Sequence, residues 1–395
     1  MELTKQEEKM LSGGQGEAVR KSMEILVALG KIFGADRLIP VSSVQIAGVS
    51  YDNLGEAGLE FLADMAKDGK ARALTTLNPA GMDLENWENL GISREFADKQ
   101  MLVIDAFAKM GVITSCTCTP YLIGNLPRFG EHIAWSESSA VCFANSVLGA
   151  RSNREGGPSA LASAITGRTP NYGMHIDANR QASVLVRVKT KIHGTSEFGA
   201  LGKVIGEKAG NKIPLIRGVH EASLEELKGL CASIATYGGT AMFHIPKITP
   251  ERTKVPKEAI EVSRDDIKAA LESMNDECEP DFVSLGCPHL SIREIENIAG
   301  MLRGKHVKIE TWLATARQTK RLADMMGYSK VIEDSGAKFA CDTCMVVAPL
   351  KGRFKCLATD SAKSCFYARG KNAFKVHAGT FEQCISAAIT GKWKK

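Results

Sequence analysis

The chain has 395 residues, 44% of them hydrophobic and 24% charged, which is enough to bury a large core in an ordinary globular protein. Its net charge of +5 is spread along the sequence without a basic arm, which argues against nucleic acid as a partner. No apolar run approaches the length of a membrane span, and the polar, acidic start Met1-Glu-Leu-Thr-Lys-Gln-Glu-Glu lacks the features of a signal peptide, so a cytoplasmic location is expected.

Gly13-Gly-Gln-Gly16 opens a predicted helix over 17–30, in which Val19, Met23, Leu26 and Val27 follow helical spacing and Gly30 suits the C-terminal cap. These glycines follow no strand, so they read as a helix start rather than a phosphate loop. Residues 37–46 are strand material, Gly48-Val-Ser-Tyr51 is a turn, and 56–69 is a helix with Leu59, Phe61, Leu62 and Met65 as its apolar stripe. Residues 71–77 form a second strand closed by Asn78-Pro-Ala-Gly81, followed by a helix and a strand over 101–106. Further strands are predicted at 183–188, 240–245, 281–285 and 307–313. Helices are predicted within 255–275, over 291–302 and over 314–327, the second marked by a capping box of Ser291 and Glu294. Strands alternating with helices predict an α/β fold with mainly parallel sheets. No linker or repeat divides the chain, which reads as one unit, 1–395, of interleaved lobes.

In such sheets ligands gather beyond the carboxyl ends of the strands. Asn78-Pro79, Cys118-Thr-Pro120 and Cys287-Pro-His289 fall at that kind of position, while Cys344 precedes an apolar run instead. The eleven cysteines, an odd number in a chain without a signal peptide, read as thiols rather than as a disulfide framework. Three stretches draw attention: Thr114-Ser-Cys-Thr-Cys-Thr-Pro120, Ser284-Leu-Gly-Cys-Pro-His289 and Cys341-Asp-Thr-Cys344. Three distant thiols converging on one point would hold an iron–sulfur cluster with one iron free of protein ligand, a Lewis acid suited to dehydration. Spacing alone leaves Cys116, Cys118, Cys287, Cys341 and Cys344 open between ligand and core, and Cys341/Cys344 also fits zinc or redox chemistry. Cys142, Cys231, Cys278, Cys356, Cys365 and Cys384 read as small buried hydrophobes.

Together with Thr75-Thr-Leu-Asn-Pro-Ala-Gly-Met-Asp83, His132-Ile-Ala-Trp-Ser-Glu-Ser-Ser-Ala140, Arg151-Ser-Asn-Arg-Glu-Gly-Gly-Pro158 and Gly167-Arg-Thr-Pro-Asn-Tyr-Gly173, these segments resemble the aconitase X family over nearly the whole chain. The resemblance implies an aconitase-like fold of α/β/α lobes from which the small swivelling domain is absent. It implies a [4Fe-4S] cluster on Cys118, Cys287 and Cys344, with Cys116 and Cys341 as extra thiols nearby. It implies substrate contacts at Gly48, Val49 and Ser50, at Asn78 and Pro79, at Glu137 and Ser138, and at Lys363. The segments Gly48-Val-Ser-Tyr51 and Asn78-Pro-Ala-Gly81 resemble the archaeal, two-subunit branch, which implies dehydration of (R)-5-phosphomevalonate to trans-anhydromevalonate 5-phosphate in a modified mevalonate pathway to isoprenoids. The proton-abstracting serine is then expected on a separate small subunit. Two alternatives stand beside this: the same chemistry on cis-3-hydroxy-L-proline, and a metal-binding protein without catalysis.

Overall fold

The computed structural model describes residues 1–394. Among them, no helix is long and apolar enough to cross a membrane. Three parallel sheets organise the chain. The first has the order Leu74–Leu77, Ser43–Ile46, Ile133–Trp135; the central strand is buried along its whole length, as a strand covered on both faces must be. The second has the order Pro214–Arg217, Val184–Val188, Ala259–Val262. Its helices Gly194–Ala209 and Leu224–Gly238 pack so closely that a methyl group at Gly202 or Gly206 would meet Ser233 or Tyr237. The third has five strands in the order Lys338–Cys341, Glu310–Thr315, Phe282–Leu290, Cys356–Thr359, Lys375–Ala378.

Two of these sheets reverse direction where chemistry is expected. In the third, the chain steps outward one way from Phe282–Leu290 and then returns to add Cys356–Thr359 on its other side. In the first, Ser43–Ile46 lies between a strand added on one side and a strand added on the other. Such switch points leave crevices at the carboxyl ends of the strands.

Within Phe282–Leu290 the ladder to Glu310–Thr315 slips: Leu285 pairs with Leu313, but the next pair is Leu290 with Thr315. The residues Gly286-Cys287-Pro288-His289 are therefore extruded from the sheet, as glycine and proline favour. Gly286 sits at φ 102°, and a Cβ there would collide with the Ala314 carbonyl. Gly286→Ala is expected to destabilise the chain by about 2 kcal/mol or more; a chemical denaturation midpoint equal to wild type would contradict this.

Several expectations hold in detail. Ser291 and Glu294 form the capping box, with backbone N–H to side-chain bonds of 2.8 and 3.3 Å. At the glycine-rich start, the N–H groups of Glu17 and Ala18 donate to the Asp68 carboxylate at 2.7 and 3.1 Å, so this helix end is already capped by the chain's own anion. Others fail. Residues 101–106 are not a strand but part of helix Arg94–Lys109, which buries Gln100, Val103, Ile104 and Phe107 and exposes Met101 and Leu102; the short apolar run is compatible with either period. Residues 240–245 make only one isolated bridge, His244 to Leu215. The helix expected from 56 begins at Tyr51 and kinks at Gly55. Cys278 and Cys356 are not free thiols: with Cα atoms 6.3 Å apart they form a disulfide between the loop before Phe282–Leu290 and the start of the neighbouring strand.

Candidate active site

The carboxyl ends of the first and third sheets meet. Strand Ser43–Ile46 delivers the turn Gly48–Ser50, Leu74–Leu77 delivers Asn78 and Pro79, and Ile133–Trp135 delivers Glu137. From the facing sheet come Cys287, Cys344 three residues beyond Lys338–Cys341, and Lys363 shortly after Cys356–Thr359. Cross-links join the two edges: Ala80 N–H donates to the Asp342 carbonyl at 2.8 Å, and Ser50 Oγ to the Val347 carbonyl at 2.9 Å.

His289 connects the three cysteine segments. Its backbone N–H donates to Cys118 Sγ at 3.2 Å, Thr117 Oγ1 donates to its Nδ1 at 3.0 Å, and its Nε2 donates to the Thr343 carbonyl, next to Cys344, at 3.0 Å. Complete burial pushes the imidazole down to about 3, so the ring is neutral, with one nitrogen donating and the other accepting. The Cys118 loop is held from the other side, by Gln45 Nε2 on the Thr117 carbonyl at 3.0 Å and by Thr117 N–H on the Leu77 carbonyl at 2.9 Å.

Burial raises all three thiols, Cys344 to about 12, and a charge on any one of them opposes a charge on its neighbours. Against burial, Lys363 favours the thiolates of Cys118, Cys287 and Cys344. Three clustered thiols that cannot ionise unaided, yet carry N–H and ammonium groups to stabilise their anions, suit a cationic inorganic core. Cys116 and Cys341 point elsewhere: Cys116 packs in the core around the first sheet, and Cys341 in the core behind the third.

Glu137 caps the helix Ser138–Phe143, accepts from Ala140 N–H at 2.8 Å and from Ser139, and pairs with Lys363 across the lobes. Burial would raise its carboxyl, but Lys363, Ser139 and Ala140 together hold it below the usual range. Burial likewise opposes the Lys363 charge, and Glu137, Cys287 and Cys118 outweigh it and keep the ammonium protonated. Ser138 is half-buried on the same helix. The two turns are stitched by Gln100, whose Oε1 accepts from Tyr51 and Gly81 N–H at 3.0 and 2.9 Å and whose Nε2 donates to the Val49 carbonyl at 3.0 Å. Val49 is buried with its carbonyl occupied, Gly48 is exposed at φ 79°, and Asn78 Oδ1 is buried without a partner.

Sequence reading missed Gln100, Asp83 and Arg317. Arg317 pairs with Asp83 and, at 3.1 Å, with Asp342, while Asp83 Oδ2 accepts from Cys341 N–H at 2.9 Å; the trio clamps the Cys344 loop to the Asn78 turn. Only Asp83 lay in a matched motif, and Gln100 was hidden in a helix read partly as strand.

Family models for the first, third and second aconitase X domains match residues 1–178, 280–390 and 182–272. The chain is 45% identical to the phosphomevalonate dehydratase large subunit of Methanosarcina mazei, covering 100% of this chain and 99% of that one. It is 48% identical to the protein of the same name from Methanocaldococcus jannaschii, covering 98% and 99%. With the cis-3-hydroxy-L-proline dehydratase of Hypocrea jecorina the identity is 34%, over 99% of this chain and 69% of the relative. The crystal structure of Thermococcus kodakaraensis aconitase X in its holo-form superposes with a TM-score of 0.92 at 47% identity, covering 98% of this chain and 100% of that one. With converging thiols between facing sheets and this similarity over its full length, the chain belongs to the aconitase X family.

Proposed function

We propose that this chain is the large subunit of a hydro-lyase that dehydrates (R)-5-phosphomevalonate to trans-anhydromevalonate 5-phosphate, with a [4Fe-4S] cluster held by Cys118, Cys287 and Cys344. The observation that carries the reading is the gathering of these three thiols around His289, beside the Glu137–Lys363 pair. Bound there, a cluster with one iron free of protein ligand supplies a Lewis acid for the departing hydroxyl. Lys363 pairs with an anionic group of the substrate, and Glu137, kept ionised, holds that ammonium in place until the substrate arrives. The backbone of the Gly48–Ser50 turn and the free Asn78 Oδ1 orient the remaining polar groups, Asn78 by accepting a substrate hydroxyl.

The proton is taken by a group from a small partner subunit, for which a serine is the candidate. The identities favour this branch over the hydroxyproline one: 45% and 48% with two phosphomevalonate dehydratase large subunits against 34% with the Hypocrea jecorina relative. The test is to co-express the chain with its small-subunit neighbour, reconstitute anaerobically, and follow loss of phosphomevalonate and of cis-3-hydroxy-L-proline in parallel. Turnover of phosphomevalonate by the pair, with a brown, iron-loaded but inactive large subunit alone, is the expected result. Faster turnover of hydroxyproline, or a colourless zinc-loaded chain, would overturn the reading. Full activity without the partner would overturn its two-subunit part.

A further inference from the structure

A second group of ligating side chains lies at the opposite end of the third sheet. One sulfur each from Cys278 and Cys356 and one ring nitrogen of His377 all fall within 4.8 Å of one another. They come from three adjacent pieces of chain: the loop before Phe282–Leu290, the first residue of Cys356–Thr359, and the edge strand Lys375–Ala378. Strand register puts Leu357 beside Phe282, so Cys356 is level with Asp281, and Leu285, the last paired residue before the extruded Cys287 segment, lies four positions further on, about 13 Å along an extended strand. The group is therefore separate from the cluster cysteines.

The imidazole is held as a metal-bound histidine would be. Asn275 Nδ2 donates to the Leu271 and Ala378 carbonyls at 2.8 and 3.1 Å, which turns its Oδ1 toward His377 Nδ1 at 3.1 Å. Nδ1 is thereby the donor, and the ring is stacked on Trp393, with centroids 4.8 Å apart and planes 13° from parallel. An outer acceptor on one nitrogen with the other aimed at thiols is the usual arrangement around a ligating histidine. The second nitrogen, Nε2, faces Cys278 Sγ at 3.5 Å and also the Cys278 carbonyl at 2.8 Å. Of the two ring nitrogens, Nε2 is therefore the one turned toward the sulfurs. Cys278 is only half-buried, so solvent can reach the group and fill the fourth position.

We propose that Cys278, Cys356 and His377 form a redox-gated site for a zinc-class divalent ion. A dithiol reductant gives two electrons and two protons to the Cys278–Cys356 bond, breaking it and itself becoming a disulfide. The two thiols lose their protons as the ion binds to both sulfurs and His377 Nε2. Two thiolates and an imidazole suit zinc rather than magnesium or calcium. Cys278 and Cys356 are then tied together in either state, by a covalent bond when oxidised and by the ion when reduced, and the ion adds His377 to the link.

The test uses the full chain with its cluster loaded and its small subunit bound, reduced anaerobically with a dithiol and offered zinc(II) or cobalt(II). One ion per chain beyond the cluster iron is expected, with a thiolate-to-cobalt charge-transfer band. Alkylation with peptide mapping should label Cys278 and Cys356 in the reduced, metal-free chain and spare both when zinc is present. Cys278→Ser and His377→Gln should each weaken zinc binding at least about tenfold while leaving iron content unchanged. Equal labelling with and without zinc, a disulfide that resists reduction in the folded chain, or wild-type zinc binding by Cys278→Ser would each overturn the proposal. Wild-type mapping alone decides the matter if a variant fails to fold. Because iron content and phosphomevalonate turnover report on the other site, failure here is distinguishable from failure of the dehydratase reading.

Discussion

Serine at Cys118, Cys287 or Cys344 should remove dehydratase turnover and release iron, whereas Cys116→Ala and Cys341→Ala should keep both near wild type. The physical difference is direction. The first three sulfurs sense one another's charge and that of Lys363, while Cys116 and Cys341 are enclosed among aliphatic side chains and sense the Arg317–Asp342 network instead. If Lewis-acid assistance contributes about 4 kcal/mol to the transition state, its loss costs about a thousandfold in rate. Iron analysis and turnover on anaerobically reconstituted subunit pairs give the result. A Cys344→Ser chain that retains full iron, or a Cys341→Ala chain that loses it, would move the ligand assignment to the other member of that pair.

Lys363→Met is expected to be the most damaging change outside the cysteines. Glu137 would be left buried and unpaired, a situation that costs about 3–5 kcal/mol, and the substrate would lose a cationic partner. Adding Glu137→Leu removes the stranded charge, so the double variant should recover most of the stability and none of the turnover. Recovery of turnover in the double variant would mean that the pair is structural only. Acid provides a second readout. Glu137 is held below its ordinary value of 4.5, so the stability it contributes is fully present above pH 4.5 and fades as pH falls through its lowered folded value. A denaturation series on the double variant should lack that share of the acid limb.

The fold class was legible because buried parallel strands alternate with amphipathic helices, and Ser291 with Glu294 announced a helix start that the structure contains. What escaped was whatever depended on long-range partners. The run after Gln100 has apolar residues at both periods, and only packing against the first sheet decides for helix. The short strands Lys338–Cys341, Cys356–Thr359 and Lys375–Ala378 carry too little local pattern to be seen alone. The site shows the same division. Cys118, Cys287 and Lys363 stood out by residue type and motif, but the pairing of Lys363 with Glu137, 226 positions apart, exists only in three dimensions. Cys278 and Cys356, 78 positions apart, looked like any other core thiols until the sheet set them face to face.

The hydrogen bonds of His289 are made entirely between atoms of this chain, to Cys118 Sγ, Thr117 and the Thr343 carbonyl. One buried ring thus fastens pieces of chain drawn from three remote parts of the sequence, so that trimming this side chain would loosen all of them together.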